Sequence, residues 1–471
     1  MLSLQDIAHT TGGDWHNQER SEITGFSIDS RTISPGEFFI TLPGERTDGE
    51  DHLEEAYSRG ASGALVNSNL GDDRFPNLIG VSDRKSGLLN MATYYRTRFS
   101  ITIVGITGSW GKTTTKEVIG SILSTVGVTY KSPGNFNTEY GLPLSLLNMD
   151  EDVDFGVFEL GLQYPGDIGT LSKVLKPTIG LITGIGRVHL QNFRGRKHLA
   201  REKFRLAEGM EEGSTVLINE DSDLVDVHRL SNQLSDKRIV PYSVEGAGMA
   251  RYRAREIDLM GLNGLSFTLR ERGGGHEPLR LKSHLLSKAN VFNVLAGASV
   301  GLELGIGRRK VVAGVDIAPL PQRLQPIKFA GGTVLNDSYN ANPSAIKNAL
   351  HLLSTLETSG IKVVALGDML ELGPRAKQLH AGLATDVLAS GADLLLGTGQ
   401  NVKSLCDKLS SMNVGRKDLD SLPDTKWFRS KAKLQEHLGR SLEGDDNLVL
   451  VKGSRGMEME KVVNYLTNSL N

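Results

Sequence analysis

One cysteine, Cys406, is present in 471 residues. A lone thiol excludes an intrachain disulfide and fits a reducing cytosol, so a cytoplasmic protein is expected. Charge of either sign is not in excess. The formal net charge of −2 leaves no broad basic field, which argues against nucleic acid as a main partner. No uninterrupted apolar run is long enough to cross a bilayer, so no membrane insertion is expected. The opening MLSLQDIAHTTGG lacks a basic segment and an apolar core, so no signal peptide is expected. There is no short internal repeat and no low-complexity linker. The 54 glycines are dispersed, as in a chain with many tight turns. What remains, 39% hydrophobic and 23% charged residues, fits a soluble globular protein. The length predicts about three domains.

The stretch Ile101–Glu117, ITIVGITGSWGKTTTKE, carries the most information. It reads as a β-branched strand, a glycine-rich turn, then Lys112 and Thr113 opening a helix. That order builds a phosphate cradle. Glycines admit an anion to backbone N–H groups, the helix start adds its dipole, and Lys112 adds a point charge. Thr113 has the hydroxyl that such loops place on Mg²⁺. The spacing is a variant, G-x-T-G-x-x-G-K-T, as Gly105, Thr107, Gly108, Gly111, Lys112 and Thr113. A bound nucleoside triphosphate is expected, held by Gly108, Ser109, Trp110, Gly111, Lys112, Thr113 and Thr114.

Three α/β blocks follow from the pattern of apolar runs. Residues 1–97 form a small α/β unit, with FSIDS, GEFFITL and ALVNS as strands. Residues 98–318 form a central P-loop-type mononucleotide-binding domain, with ITIVGIT, DFGVFELG and TIGLITGIG as buried strands. KANVFNVLAGASVGLELGI reads as a helix with a small-residue face. Residues 319–471 form a Rossmann-like doubly wound domain. There TVLNDSYNANP, KVVALGDMLELG, DLLLGTGQ and NLVLVKGSRG each set a strand before a polar turn. Ala318–Pro326, APLPQRLQP, is the expected linker.

Other residues can carry chemistry but have plainer readings. Glu159 ends DFGVFE, where phosphate-loop enzymes place a Mg²⁺-holding carboxylate. Alone it reads better as a solvated acid; beside Lys112 and Thr113 the metal role is favoured. A lone histidine such as His189 is more often structural than a ligand. Lys203 looks like a helix-surface lysine. Asp337, Tyr339, Asn340 and Asn342 cluster at a strand end, where either a turn or a ligand fits. Lys452 and Arg455 match an anionic group, or are incidental loop charges.

Together these motifs resemble the Mur ligase family of ATP-dependent amide-bond-forming enzymes. The resemblance spans nearly the whole chain. It rests on IDSRTISPGEFFITLPGERTDGEDH, the variant loop, PGNFNTEYGLPLSLL, ELG, DSYNANP, LGDMLELG and KGSRG. The last three point to the branch that adds D-alanyl-D-alanine, and the Asp-Asn-Pro-Arg tetrapeptide of diaminopimelate-adding members is absent. The resemblance implies ATP, two Mg²⁺ ions, and transfer through an acyl phosphate. It implies a UDP-muramoyl-tripeptide and D-alanyl-D-alanine as substrates, and a monomer is expected. Residues 1–97 would receive the UDP-muramoyl end, through Ser30 and Arg31. Thr113 and Glu159 would hold one ion, His189 and a carbamylated Lys203 the other. Lys112, His189 and Lys203 would be catalytic. Asn290 and Asn293 would lie near the adenine, Arg323 at the phosphates, and Asp337, Tyr339 and Asn340 at the nucleotide. Asn137, Thr138, Lys452 and Arg455 would bind substrate.

The chain departs from the family pattern at five positions. Trp110 and Gly184 stand where Asn is usual, Ala289 where His is, Gln322 where Gly is, and Arg205 where Glu is. The departures keep two other readings open: the same chemistry on different substrates, or a nucleotide-binding protein without turnover.

Overall fold

The computed structural model describes residues 1–471 apart from 45–46, 70–71, 187–191, 247, 414–421 and 470–471. Three sheets follow one another along the chain. The first contains β1 (Asp14–His16), β2 (Gly25–Ser27), β3 (Glu37–Ile40), β4 (Gly63–Asn67) and β5 (Leu78–Val81). Its order is β1-β5-β4-β3-β2, parallel except for β1.

The second sheet has nine strands. They are β6 (Thr102–Thr107), β7 (Thr129–Lys131), β8 (Phe155–Glu159), β9 (Ile179–Ile182), β10 (Thr215–Asn219), β11 (Arg238–Ser243), β12 (Tyr252–Leu259), β13 (Leu265–Glu271) and β14 (Leu279–Ser283). The order is β14-β13-β12-β11-β10-β9-β6-β8-β7. From β7 to β12 the pairing is parallel; β12, β13 and β14 form an antiparallel extension. β6 lies between β8 and β9. The carboxyl ends of the three strands therefore open side by side at a point where the chain switches direction across the sheet, the place where α/β sheets bind ligands.

The third sheet has six strands. They are β15 (Gln325–Phe329), β16 (Gly332–Asp337), β17 (Lys362–Leu366), β18 (Leu394–Thr398), β19 (Asp424–Phe428) and β20 (Asn447–Lys452). The order is β15-β16-β20-β17-β18-β19, with only β15 antiparallel. The expected linker is shorter than its sequence suggests. Gln325 and Pro326 pair with Asn336 and Leu335 and so begin β15. Proline cannot donate to a ladder, and an edge strand is where that loss is tolerated.

The first two sheets are not independent. One continuous apolar core includes Ile7, Phe38 and Leu88 from the first block and Leu142, Phe158 and Leu171 from the second. The helix Arg84–Arg96 lies between them. Its Tyr95 hydroxyl donates to the Met149 carbonyl at 2.8 Å. Buried Arg96 donates to the carbonyls of Leu175 and Phe99 at 2.8 and 2.7 Å. At the open edge of β2, Asn148 accepts from Phe26 N and donates to Phe26 O, both at 2.9 Å. That amide completes a ladder with a side chain and ties the two units together.

The other face of the second sheet carries its own core, with Val104, Ile119, Leu217, Phe267 and Leu295. There the helix Lys288–Glu303 lies on the helix Lys112–Leu123, as its small-residue face foretells. Replacing Asn148 by Ala strips both partners from the buried Phe26 backbone. We expect a loss of about 2 kcal/mol, read as a lower urea midpoint.

Candidate active site

β6 delivers the loop 107–111 into the gap between β8 and β9. Gly111 has φ 78°, and a Cβ there would lie 2.2 Å from Asn293 Oδ1. Gly108 has φ 157°, and a Cβ there would lie 1.9 Å from Thr183 Oγ1. Only glycine fits either place. The loop is clamped on both sides. Ser109 N donates to Gly184 O at 2.8 Å, and Thr183 Oγ1 donates to Trp110 O. On the far side Thr115 Oγ1 donates to Asn293 Oδ1 at 3.2 Å, and Asn293 Nδ2 donates to Asn290 Oδ1 at 2.7 Å. The helix Lys112–Leu123 starts at Gly111 with no side-chain cap, so its first N–H groups face the loop. Thr114 is buried in its first turn.

Three ionisable side chains meet behind this loop. Lys112 Nζ donates to Gly108 O at 3.0 Å. Burial pulls its pKa down; Glu159 opposes this and Arg323 adds to it. Lys203, on the helix Arg196–Phe204, is only 2% exposed, so it is not the surface lysine its sequence suggests. Burial drives its pKa well below the ordinary value, and the charge of Lys112 adds to the effect. Glu159 is equally buried, and its Oε1 accepts no hydrogen bond among the described residues. A buried carboxylate oxygen that accepts no hydrogen bond and is ion-paired with Lys116, near the lysine of a phosphate loop, is a fit for Mg²⁺. His189 lies outside the described residues. Among the described residues, no three His, Cys, Asp or Glu side chains come together as a metal site.

One member of this group escapes sequence reasoning. Lys116, 1% exposed, donates to Ser132 O at 2.6 Å and lies 3.3 Å from Glu159 Oε1. In GKTTTKE it reads as one more helix lysine. Its position four residues after Lys112, on the same helix face, was the available signal.

The linker into the third sheet contributes as well. Arg323 Nη2 donates to Thr113 Oγ1 at 2.9 Å, and the guanidinium stacks on Tyr339 at 4.1 Å. Gln322 has φ 59° and Leu324 φ 51°. Gln322 thus holds a left-handed turn, a conformation that favours glycine. Asp337 does not stand free. Its Oδ2 takes a hydrogen bond from Lys452 Nζ at 2.5 Å, and the same ammonium donates to Asn340 O at 2.9 Å. Lys452 is 2% exposed, with its ammonium engaged by Asp337 and Asn340. Arg455 is exposed and donates to Gln322 Oε1 at 3.1 Å.

The expected substrate residues fall in two places. Ser30 and Arg31 follow β2; Ser30 donates to Glu55 at 2.6 Å, and exposed Arg31 pairs with Asp29. Asn137 and Thr138 lie beside the end of β8, where Asn137 O accepts from Gly161 N at 2.6 Å. A cavity of about 310 Å³ adjoins the phosphate loop, lined among others by Trp110, Phe292, Ile185, Asn219, Asp221 and Ser222. A larger hollow of about 630 Å³, lined by Phe155 and Leu304 among others, contains none of the site residues.

Three α/β sheets around a phosphate loop at a strand switch define a multidomain nucleotide-type architecture. Comparison with known proteins makes this specific. The model of the Mur ligase middle domain matches residues 106–301, that of the Mur ligase glutamate ligase domain matches 322–455, and that of the Mur ligase family catalytic domain matches 22–74. UDP-N-acetylmuramoyl-tripeptide–D-alanyl-D-alanine ligase of Bacillus subtilis (strain 168) is 30% identical over 478 residues, covering 99% of this chain and 98% of that protein. The ligase of the same name from Escherichia coli (strain K12) is 30% identical over 468 residues, with the same coverage. A crystal structure of MurF from Acinetobacter baumannii superposes with a TM-score of 0.86 at 27% identity, covering 98% of each chain. The chain belongs to the Mur ligase family.

The Lys116–Glu159 pair yields a direct test. Lys116→Met takes from the buried Glu159 carboxylate the cation 3.3 Å from its Oε1. Breaking such a pair costs about 3–5 kcal/mol, so thermal unfolding should move down by many degrees.

Proposed function

We propose that the chain is an ATP-dependent ligase that joins D-alanyl-D-alanine to UDP-N-acetylmuramoyl-tripeptide in peptidoglycan precursor synthesis. The observation that carries this reading is the full-length likeness to ligases of that name. The site chemistry supports it. The reaction makes an amide from a carboxylate and an amine, and a carboxylate must first gain a leaving group. The γ-phosphoryl group of ATP passes to the substrate carboxylate, giving an acyl phosphate and ADP. The amine of the dipeptide attacks its carbonyl carbon. The tetrahedral adduct then collapses, expelling phosphate and leaving the amide.

The chain's own groups suit these steps. Loop N–H groups and Lys112 stabilise charge on the transferred phosphoryl oxygens. Arg323, bonded from the linker to the Thr113 hydroxyl, supports a role at the phosphates. Mg²⁺, when bound, would neutralise phosphate charge, with Thr113 and Glu159 as its holders and His189 with Lys203 serving a second ion. The depressed pKa of Lys203 favours the neutral amine, the form that adds CO₂ to give a carbamate. A carbamate turns a costly buried cation into an anion that a metal ion can compensate. Asn137 and Thr138, beside the end of β8, would meet the reacting end of the peptide; Ser30 and Arg31 would meet the nucleotide sugar. A cytoplasmic monomer completes the proposal.

The direct assay is phosphate release with ATP, Mg²⁺, the muramoyl tripeptide and D-alanyl-D-alanine. Release should require both substrates; no release beyond single-substrate controls overturns the proposal. Lys203→Ala should lose activity by about a thousandfold or more, a typical cost of removing one key charge-stabilising group. Short carboxylic acids should restore part of it. Full activity without them would rule out the carbamate.

A further inference from the structure

Two of the family departures touch each other. The Trp110 indole packs against Gly184. A Cβ on Gly184 would fall 2.4 Å from Trp110 Cζ2 and 2.5 Å from Cε2. The indole also meets Phe292 edge-on, with centroids 5.4 Å apart and planes at 85°. The tryptophan therefore fits only because residue 184 has no side chain, and the two positions form one steric unit.

This unit forms a wall of the cavity of about 310 Å³ beside the phosphate loop. That volume is at the small end of ligand sites, which run from roughly 300 Å³ upward. Phe292 and Ile185 continue the apolar side, while Asn219, Asp221, Ser222, Asp223 and Glu245 supply polar edges. Asp221 and Asn219 are used internally: Asp221 accepts from Ser243 Oγ and Val244 N, and Asn219 Nδ2 donates to Thr183 O. Ser222 Oγ is buried and makes no hydrogen bond among the described residues. An aromatic wall opposite an edge of acceptor carboxylates and one unspent hydroxyl suits a planar heteroaromatic ring that carries N–H donors. The hollow includes Trp110, next to Gly111 of the phosphate cradle, so the base of the nucleotide is the ring within reach.

We infer that Trp110, accommodated by Gly184, is a specificity-determining residue that stacks on the base of the bound nucleotide, with Ser222 at the base edge. The inference rests on the ATP reading above and adds a base-contacting residue that the asparagine usual at this position cannot supply. Aromatic stacking tolerates different bases, so the residue favours nucleotides over bare polyphosphate more than one purine over another.

Titration of the full-length protein with MgATP and with magnesium tripolyphosphate, followed by tryptophan fluorescence and calorimetry, tests this. In the wild type, ATP should change the fluorescence and tripolyphosphate should not. Trp110→Leu should abolish the fluorescence change and weaken ATP about tenfold or more, with tripolyphosphate affinity unchanged. Trp110→Phe should retain most ATP affinity. Gly184→Asn alone should raise the KM for ATP, and the Trp110→Asn, Gly184→Asn double variant should bind ATP more tightly than Gly184→Asn alone. Equal ATP affinity in Trp110→Leu and the wild type, or the same fluorescence change with tripolyphosphate, overturns the inference while leaving the ligase reading intact. Failure of the wild type to bind either compound overturns both.

Discussion

Everything in the site depends on how closely three pieces of backbone can approach at the end of β6. The loop 107–111 is pressed between the end of β9 and the helix Lys288–Glu303. At Gly108 and Gly111 there is no room for a methyl group on either side. The approach lets Ser109 N and Trp110 O bond to the β9 end, and it brings Asn293 against the first turn of the phosphate helix. A cradle held from both sides is already organised before a ligand arrives. Charges placed around such a rigid ring need little reorganisation as the phosphoryl group moves.

The same closeness creates an electrostatic problem, and the structure answers it with charges buried in proximity. Lys203 and Lys116 are removed from water and Lys112 is half-buried; Glu159 faces Lys112 and Lys116, and Lys203 faces Lys112. Like charges crowd there. Lys116 is held by Ser132 O and Glu159, Lys112 by Gly108 O, and Lys203 is driven towards its neutral form. Such an arrangement is poor for stability in isolation, because buried ions lose hydration. It is well suited to a site that accepts polyanions and divalent cations together.

The sequence revealed the phosphate loop because strand, glycines and lysine are contiguous, so local order alone defines them. Four of the six strands of the third sheet, β16, β17, β18 and β20, were legible for the same reason, each an apolar run ahead of a polar turn; β15 was hidden in the expected linker and β19 was not read. What escaped depends on distance along the chain. Lys452 and Asp337 are separated by 115 residues, and nothing local says that one neutralises the other. Lys116 looks solvent-exposed until β7 and β8 close over it. The antiparallel strands β12 to β14 were not anticipated, since alternation such as that of YRAREIDL also suits a loop-rich surface. The shared core of the first two sheets was hidden too, because its members come from both blocks and from the helix Arg84–Arg96 between them.

The link into the third sheet also sets how that sheet can move. Two left-handed residues, Gln322 and Leu324, flank Arg323 within three positions. Such a double bend behaves as a crank rather than a tether. Arg455 grips the Gln322 amide from the third sheet, and Arg323 rests on Tyr339 of that sheet while bonding to Thr113. Any swing of the third sheet must therefore carry the guanidinium with it. Withdrawal of the sheet and withdrawal of a positive charge from the phosphate helix become one mechanical event.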